Sequence, residues 1–346
     1  MPVTPKIRIG REPESAQTAS GDQPVKRLAL VSRPVAKESE GRLADMTFRT
    51  LVIACAVSLF IVVVLIFLQL IQQSGLSLHK FGFRFLSTSM WNPVTGQFGA
   101  LPFIYGTLVS SLLGLLIAVP LSMGTALFLT ELCPPFLRRI LGTTVELLAA
   151  IPSVIYGLWG LFVLAPVLRT YVEPWLEHKF GWTGLFSGPP LGVGMLAAGI
   201  ILAIMVLPII ASVTREVILA VPRQQREAVL ALGATKWEML RMGVLRNARI
   251  GIVGAVILGL GRAVGETMAV TMVIGNSPLI SKSLIAPGNT LASVLASEFA
   301  EAMEDLHKSS LVELALVLFV ITLIVNALAR LLVWSVTRGT ASRTLA

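Results

Sequence analysis

Long uncharged apolar runs alternate along this chain with short clusters of charged residues. Six runs reach the roughly 20 residues that a helix needs to cross hydrocarbon. They lie near residues 46–71, 101–130, 140–168, 191–214, 250–275 and 311–336. Lipid offers the backbone no hydrogen-bond partner, so runs this long are predicted to be helices. A membrane β-barrel is excluded, because strands of about 10 residues with alternating polarity would replace the continuous runs. The pattern predicts an all-α polytopic membrane protein with six transmembrane helices. Pro120, Pro152, Pro166 and Pro208 fall inside predicted spans, where each frees a carbonyl and permits a kink. The glycine spacing in "GLGRAVG" and "GVGMLAAG" suits close helix packing.

Composition agrees with the pattern. Of 346 residues, 55% are hydrophobic and 14% charged, about half the charged share of a soluble domain. The formal charge is +9. Its distribution makes it a topology signal rather than a nucleic-acid footprint, and no nucleic-acid partner is expected. With the N-terminus inside, the inner segments hold Lys26, Arg27, Arg49, Arg138, Arg139, Arg215, Arg226, Arg241, Arg246, Arg249, Arg330 and Arg338 among others. The outer ones hold only Lys80, Arg84, Arg169, Lys179, Lys282 and Lys308. The excess of inner cations predicts that both termini are cytoplasmic.

Residues 1–45 are polar and mixed in charge, and are predicted to be a disordered tail. Residues 46–338 form the six-span domain, and 339–346 a short C-terminal tail. No secretory cleavage pattern follows the basic tail, so the first span is expected to stay as an anchor. Cys55 and Cys133 fall near the predicted cytoplasmic ends of spans one and two, a reducing side, so no disulfide is inferred. His79, His178 and His307 are scattered over outer loops without metal-ligand spacing and read as solvated residues. Loops 72–100 and 169–190 carry Trp91, Trp175 and Trp182, suited to the outer interface.

One loop is patterned too strongly to be a plain connection. In "VPRQQREAVLALGATKWEMLRMGVLRNARIG" (221–251), Pro222 suits the first position of a helix. Gly233 can end that helix in a left-handed conformation. Thr235 followed by Glu238 predicts a capping box for a second short helix. An interfacial helix, a lipid-binding basic patch and a docking element for a cytoplasmic partner are open readings. A DNA-reading helix-turn-helix is disfavoured, since both ends are tethered to spans.

The stretch "EAVLALGATKWEMLRMGVL" (227–245) resembles the EAA loop of bacterial ABC importer permeases. That motif has Glu-Ala-Ala, a glycine after three residues, and Ile-x-Leu-Pro nine residues on. Glu227, Ala228, Gly233 and Leu245 match in register, while Val229 replaces the second alanine, Gly243 the isoleucine and Arg246 the proline. The resemblance implies cytoplasmic coupling helices, with Glu227, Ala228, Gly233, Ala234, Trp237 and Leu245 contacting an ATPase subunit. "GRAVGETMAVTMVIGN" (261–276) and "IPSVIYGLWGLFVLAP" (151–166) are similar to the phosphate importer permeases, over roughly residues 46–338. This implies a type I ABC importer permease architecture. It also implies a homologous second permease, two ATPase subunits, an extracytoplasmic phosphate-binding protein, and inorganic phosphate as cargo. The chain has no Gly-x-x-x-x-Gly-Lys-Ser/Thr loop, so ATP and magnesium are expected on the ATPase subunits, no cofactor on this chain, and no enzyme activity of its own.

The segment 250–275 carries Arg262 and Glu266, costly inside a membrane. Four residues apart on one predicted helix, they would share a face and could pair. The plain reading is an ion pair that fixes helix rotation. The functional reading is a guanidinium that meets a passing oxyanion while Glu266 balances its charge, and the resemblance implies that both positions serve transport. Glu146, in the predicted third span, could pair with Arg262 or face an aqueous cavity. Thr267, Thr271 and Asn276 are expected to bond to helix carbonyls. A permease for sulfate or molybdate and an ion-coupled secondary transporter are the rival functions. The secondary transporter would show paired broken-helix repeats, which the sequence lacks.

Overall fold

The computed structural model describes residues 38–341, with side chains from residue 45 onward except 332 and 335–341. The tail predicted over residues 1–45 therefore lies largely outside the described residues, although its last part, from Glu38, is already helical. Helix α1 runs Glu38–Gln73. The chain divides into two units, Met1–Leu59 and Phe60–Ala346. In the first unit the apolar side chains from Met46 to Leu59 are exposed on every side of the helix, as expected of a helix whose solvent is lipid.

The second unit contains the other helices, and no strand occurs among the described residues. After the short α2 (Gly75–Phe81) come α3 (Leu101–Leu127), α4 (Pro135–Ala149), α5 (Ser153–Trp159), α6 (Met195–Leu219), α7 (Arg223–Ala231), α8 (Arg246–Val264), α9 (Met268–Val273), α10 (Leu291–Glu298) and α11 (Asp305–Ala341). Among the described residues, helices long and apolar enough to cross a membrane number six, at Asp45–Gln73, Leu101–Leu132, Ser153–Thr183, Met195–Leu219, Lys236–Val264 and Asp305–Leu331.

The fourth span is the hub. Two-thirds of its apolar window is buried, against a third or less in every other span. It packs on α3 through exchanged glycines. A Cβ at Gly114 would stand 2.9 Å from the Leu202 side chain, and one at Gly199 would stand 2.5 Å from Leu113. Small residues let helix backbones approach where lipid gives no hydrophobic drive. The resulting core holds Ala198, Ile201, Leu202, Met205, Val206 and Ile210.

Two span boundaries depart from the sequence reading. Pro152 holds φ −57° and ψ 139° as the cap of α5, and its ring disfavours a helical residue before it. The predicted third span, 140–168, therefore breaks there: α4 ends at Ala149 and the true span starts at Ser153. The fifth span is displaced toward the loop that precedes it. The predicted second loop helix runs through a π-helical turn at Met239–Leu245 straight into α8, so the fifth span lies within one helical stretch, Lys236–Val264.

The loop after α1 is also more buried than expected. Trp91 is buried against Phe98 and Phe103, and its Nε1 donates to Glu298 Oε2 at 2.9 Å. His307 stacks on Phe98 and meets the same carboxylate at 3.2 Å. Neither is the interfacial or solvated residue the sequence suggested, because α10 and the start of α11 fold over them. His79 and His178 are exposed as expected.

Candidate functional site

A cavity of about 720 Å³ opens between α6, α8 and α11. Ile209, Ile257 and Leu258 give it apolar walls, and Arg262, Glu266, Asn326 and Arg330 give it charge and polarity. Arg262 and Glu266 thus reach one site, but not by the predicted route. Helix α8 stops at Val264, and Gly265 to Thr267 form a non-helical break before α9. The expected four-residue pairing on one helix is lost, and no ion pair joins the two among the described residues. Glu266 instead turns its Oε1 toward the first turn of α9, where the Ala269 N–H lies at 3.5 Å. Positive partial charge at a helix start suits that carboxylate. Arg262 is exposed to the cavity and bonds to no other described residue.

Glycines shape the wall. A Cβ at Gly259 would meet Ile210 at 2.7 Å and one at Gly251 would meet Val217 at 2.5 Å, so these two are packing glycines. Gly254 and Gly261 have nothing within 4 Å of an added Cβ. They face the cavity, and their lack of side chains widens it. The glycine spacing read as close packing therefore holds for only part of the stretch.

Glu146 is elsewhere. It sits on α4, largely exposed, and pairs with Arg215 at 3.3 Å. The break at Pro152 removes it from the third span and from Arg262. Thr271 donates to the Thr267 carbonyl at 2.7 Å and Asn276 to the Thr271 carbonyl at 3.2 Å, the local role expected of both. Sequence reading missed Asn326 and Arg330. Their four-residue spacing on an apolar span was the available signal, but Arg330 was absorbed into the basic flank. It also missed Glu313, buried in the sixth span with Oε2 unpartnered and lining a separate apolar cavity of about 590 Å³. No cluster of His, Cys, Asp and Glu that could hold a metal occurs among the described residues.

The loop 221–251 forms a second surface. Pro222 caps α7 instead of entering it. Gly233 turns at φ +81°, and the Thr235–Glu238 capping box is complete. Glu227, Ala228, Leu232 and Trp237 are exposed, whereas Ala234 and Leu245 are half-buried and Leu245 packs inward. Leu232, which the sequence reading did not name, is 88% exposed.

Two of the three departures from the EAA pattern compensate one another. Gly243 is buried, and an added Cβ would come to 3.3 Å from Val229 Cγ2 and 3.4 Å from the Gln225 carbonyl. The bulk gained at Val229 occupies the room vacated at Gly243. Arg226 then ties the unit to the membrane helices: its guanidinium reaches Glu131 Oε1 at 2.6 Å and the Ile218 carbonyl at 2.8 Å. Glu131 ends the second span and Ile218 lies in the last turn of the fourth.

Residues 118–338 match the family of binding-protein-dependent transport system inner membrane components. A Mesorhizobium japonicum protein named phosphate transport system permease protein PstC is 51% identical over 292 residues, covering 83% of this chain and 89% of its own. The protein of that name from Xylella fastidiosa strain 9a5c is 47% identical over 311 residues, 89% of this chain and 96% of its own. A solved inward-facing form of the MetNI methionine ABC transporter is 19% identical, covers 69% of this chain and 94% of its own, and has a TM-score of 0.47.

Proposed function

The chain belongs to the binding-protein-dependent transport inner membrane components, among the phosphate transport permeases, and from that premise we propose that it lines the path of inorganic phosphate in an ATP-driven importer. It is a multi-pass inner-membrane protein. In this reading both termini are cytoplasmic, as the excess of basic residues in the inner loops supports. A homologous second permease completes the pathway, and a soluble binding protein delivers phosphate from outside. Two ATPase subunits bind ATP and magnesium and dock on 221–250, so hydrolysis takes place on them and not on this chain.

The observation that carries the reading is the shared cavity of Arg262 and Glu266. A guanidinium is always charged and offers a planar fork to an oxyanion. Arg262 stands in the cavity without a carboxylate holding it, so an arriving phosphate displaces only water. Glu266 lowers the net positive charge of the wall, which keeps the anion from being trapped. Phosphate uptake by cells lacking other routes, carrying Arg262→Gln or Glu266→Gln, tests this. Uptake is expected to fall at least about tenfold for Arg262→Gln, equivalent to about 1.4 kcal/mol, with normal amounts of assembled transporter. Undiminished uptake in both variants sinks the role given to the cavity.

A further inference from the structure

The cavity holds more cation than the two sequence-marked residues account for. Arg330 lines it from α11, with Asn326 one helical turn before it on the same face. Asn326 donates one amide hydrogen to the Thr322 carbonyl at 2.9 Å, leaving the second for a ligand. Arg330 is exposed and bonds to no other described residue. The charged lining is therefore two arginines against one glutamate, a net attraction for an anion.

The order of the spans sets the two arginines at different depths. The α8 wall extends from Gly254 to Arg262, about 12 Å at the rise of an α-helix. Successive spans run in opposite directions, so Arg330, late in the sixth, lies toward the end where the fifth begins. That end carries the coupling loop. Along the α8 wall Gly254 and Gly261 present no side chain to the cavity, and an added one would meet open space and not a neighbour.

We propose that Arg330 is a second station for the permeating anion, receiving phosphate from Arg262 on the coupling-loop side. The proposal rests on the transport reading above. The ligand chemistry is a phosphate oxyanion, either free or on a lipid headgroup, and we assign the free ion. Two cations at separate depths let the anion leave one site as it meets the next. A single stronger site would hold it.

The complete transporter, reconstituted with its ATPase and binding protein, is assayed for phosphate uptake with Arg330→Gln, Arg330→Lys and Arg262→Gln. Arg330→Gln is expected to cut the maximal rate about fivefold or more, and Arg330→Lys to keep most of it. Arg330→Gln within twofold of wild type, with Arg262→Gln inactive, overturns the second station and leaves the transport reading intact. Both variants at wild-type rate would overturn the transport reading itself. In case Arg330→Gln fails to assemble, Asn326→Cys in a Cys55→Ser, Cys133→Ser background reads the site with both arginines present. Millimolar inorganic phosphate is expected to slow labelling of that cysteine by an anionic thiol reagent at least threefold, in vesicles of phosphatidylcholine alone. No protection, or protection only when anionic lipid is added, overturns the proposal.

Discussion

At Gly243, a residue whose only distinction in the sequence is a mismatch, the fold explains the choice. An isoleucine there would drive its branches into Val229 and the Gln225 carbonyl, and overpacking of this kind costs typically 1–3 kcal/mol. Gly243→Ile is expected to lower the thermal stability of the purified protein, and adding Val229→Ala is expected to restore at least half of the loss. A double-mutant cycle measures the coupling, and strictly additive effects would refute the exchange of bulk between these positions. At this scale the sequence was only partly legible. Arg262 and Glu266 stood out because charge in an apolar run is conspicuous. Their geometry was misread, because Gly265 ends α8 inside a window that looks continuously apolar. Glu146 was misplaced by the same weakness, since apolar composition does not mark where Pro152 interrupts a helix. Arg330 was hidden by its position near the end of a span, where an arginine ordinarily reports topology.

At the scale of elements, the joint between α7 and the span ends was beyond the reach of any local pattern. Glu131 and Arg226 are 95 positions apart, and nothing in the sequence around either points to the other. Their side chains are only 14% and 20% exposed, so removing one partner strands a largely desolvated charge. The short bond, together with the Ile218 carbonyl, makes Arg226 a link from α7 to the ends of spans two and four. Glu131→Gln is expected to leave ATPase subunits bound while lowering phosphate moved per ATP hydrolysed severalfold. The charge-exchanged pair Glu131→Arg with Arg226→Glu is expected to regain part of that ratio. Unchanged stoichiometry in Glu131→Gln would show that the bridge is only a fastening. What was legible at this scale was the local chemistry: Gly233 and the Thr235–Glu238 box announced the bend and the second start because caps are written in adjacent residues.

For the whole molecule, length and hydropathy sufficed to count the spans, since the bilayer imposes one element type and one minimum length. Their arrangement followed from packing, with the fourth span central because its glycines and alanines let neighbours approach. The loop between the fourth and fifth spans carries unburied apolar bulk of its own. Leu232 and Trp237 stand 88% and 63% exposed on either side of the Gly233 turn, while Glu227 and Ala228 share the same loop surface. Large apolar side chains presented to water mark an interaction site, and buried anchors of this kind carry most of an interface's energy. Leu232→Asp and Trp237→Ala are each expected to weaken retention of the ATPase subunits on affinity purification by about tenfold or more, without loss of the permease from the membrane. Arg223, on the same loop and exposed, serves as the control, since a rim charge replaced by glutamine changes affinity little. Equal loss in the control would mean that the loop acts through its charge. Full retention in both apolar variants would place the ATPase contact elsewhere, and with it the route by which hydrolysis reaches Arg226 and the cavity beyond.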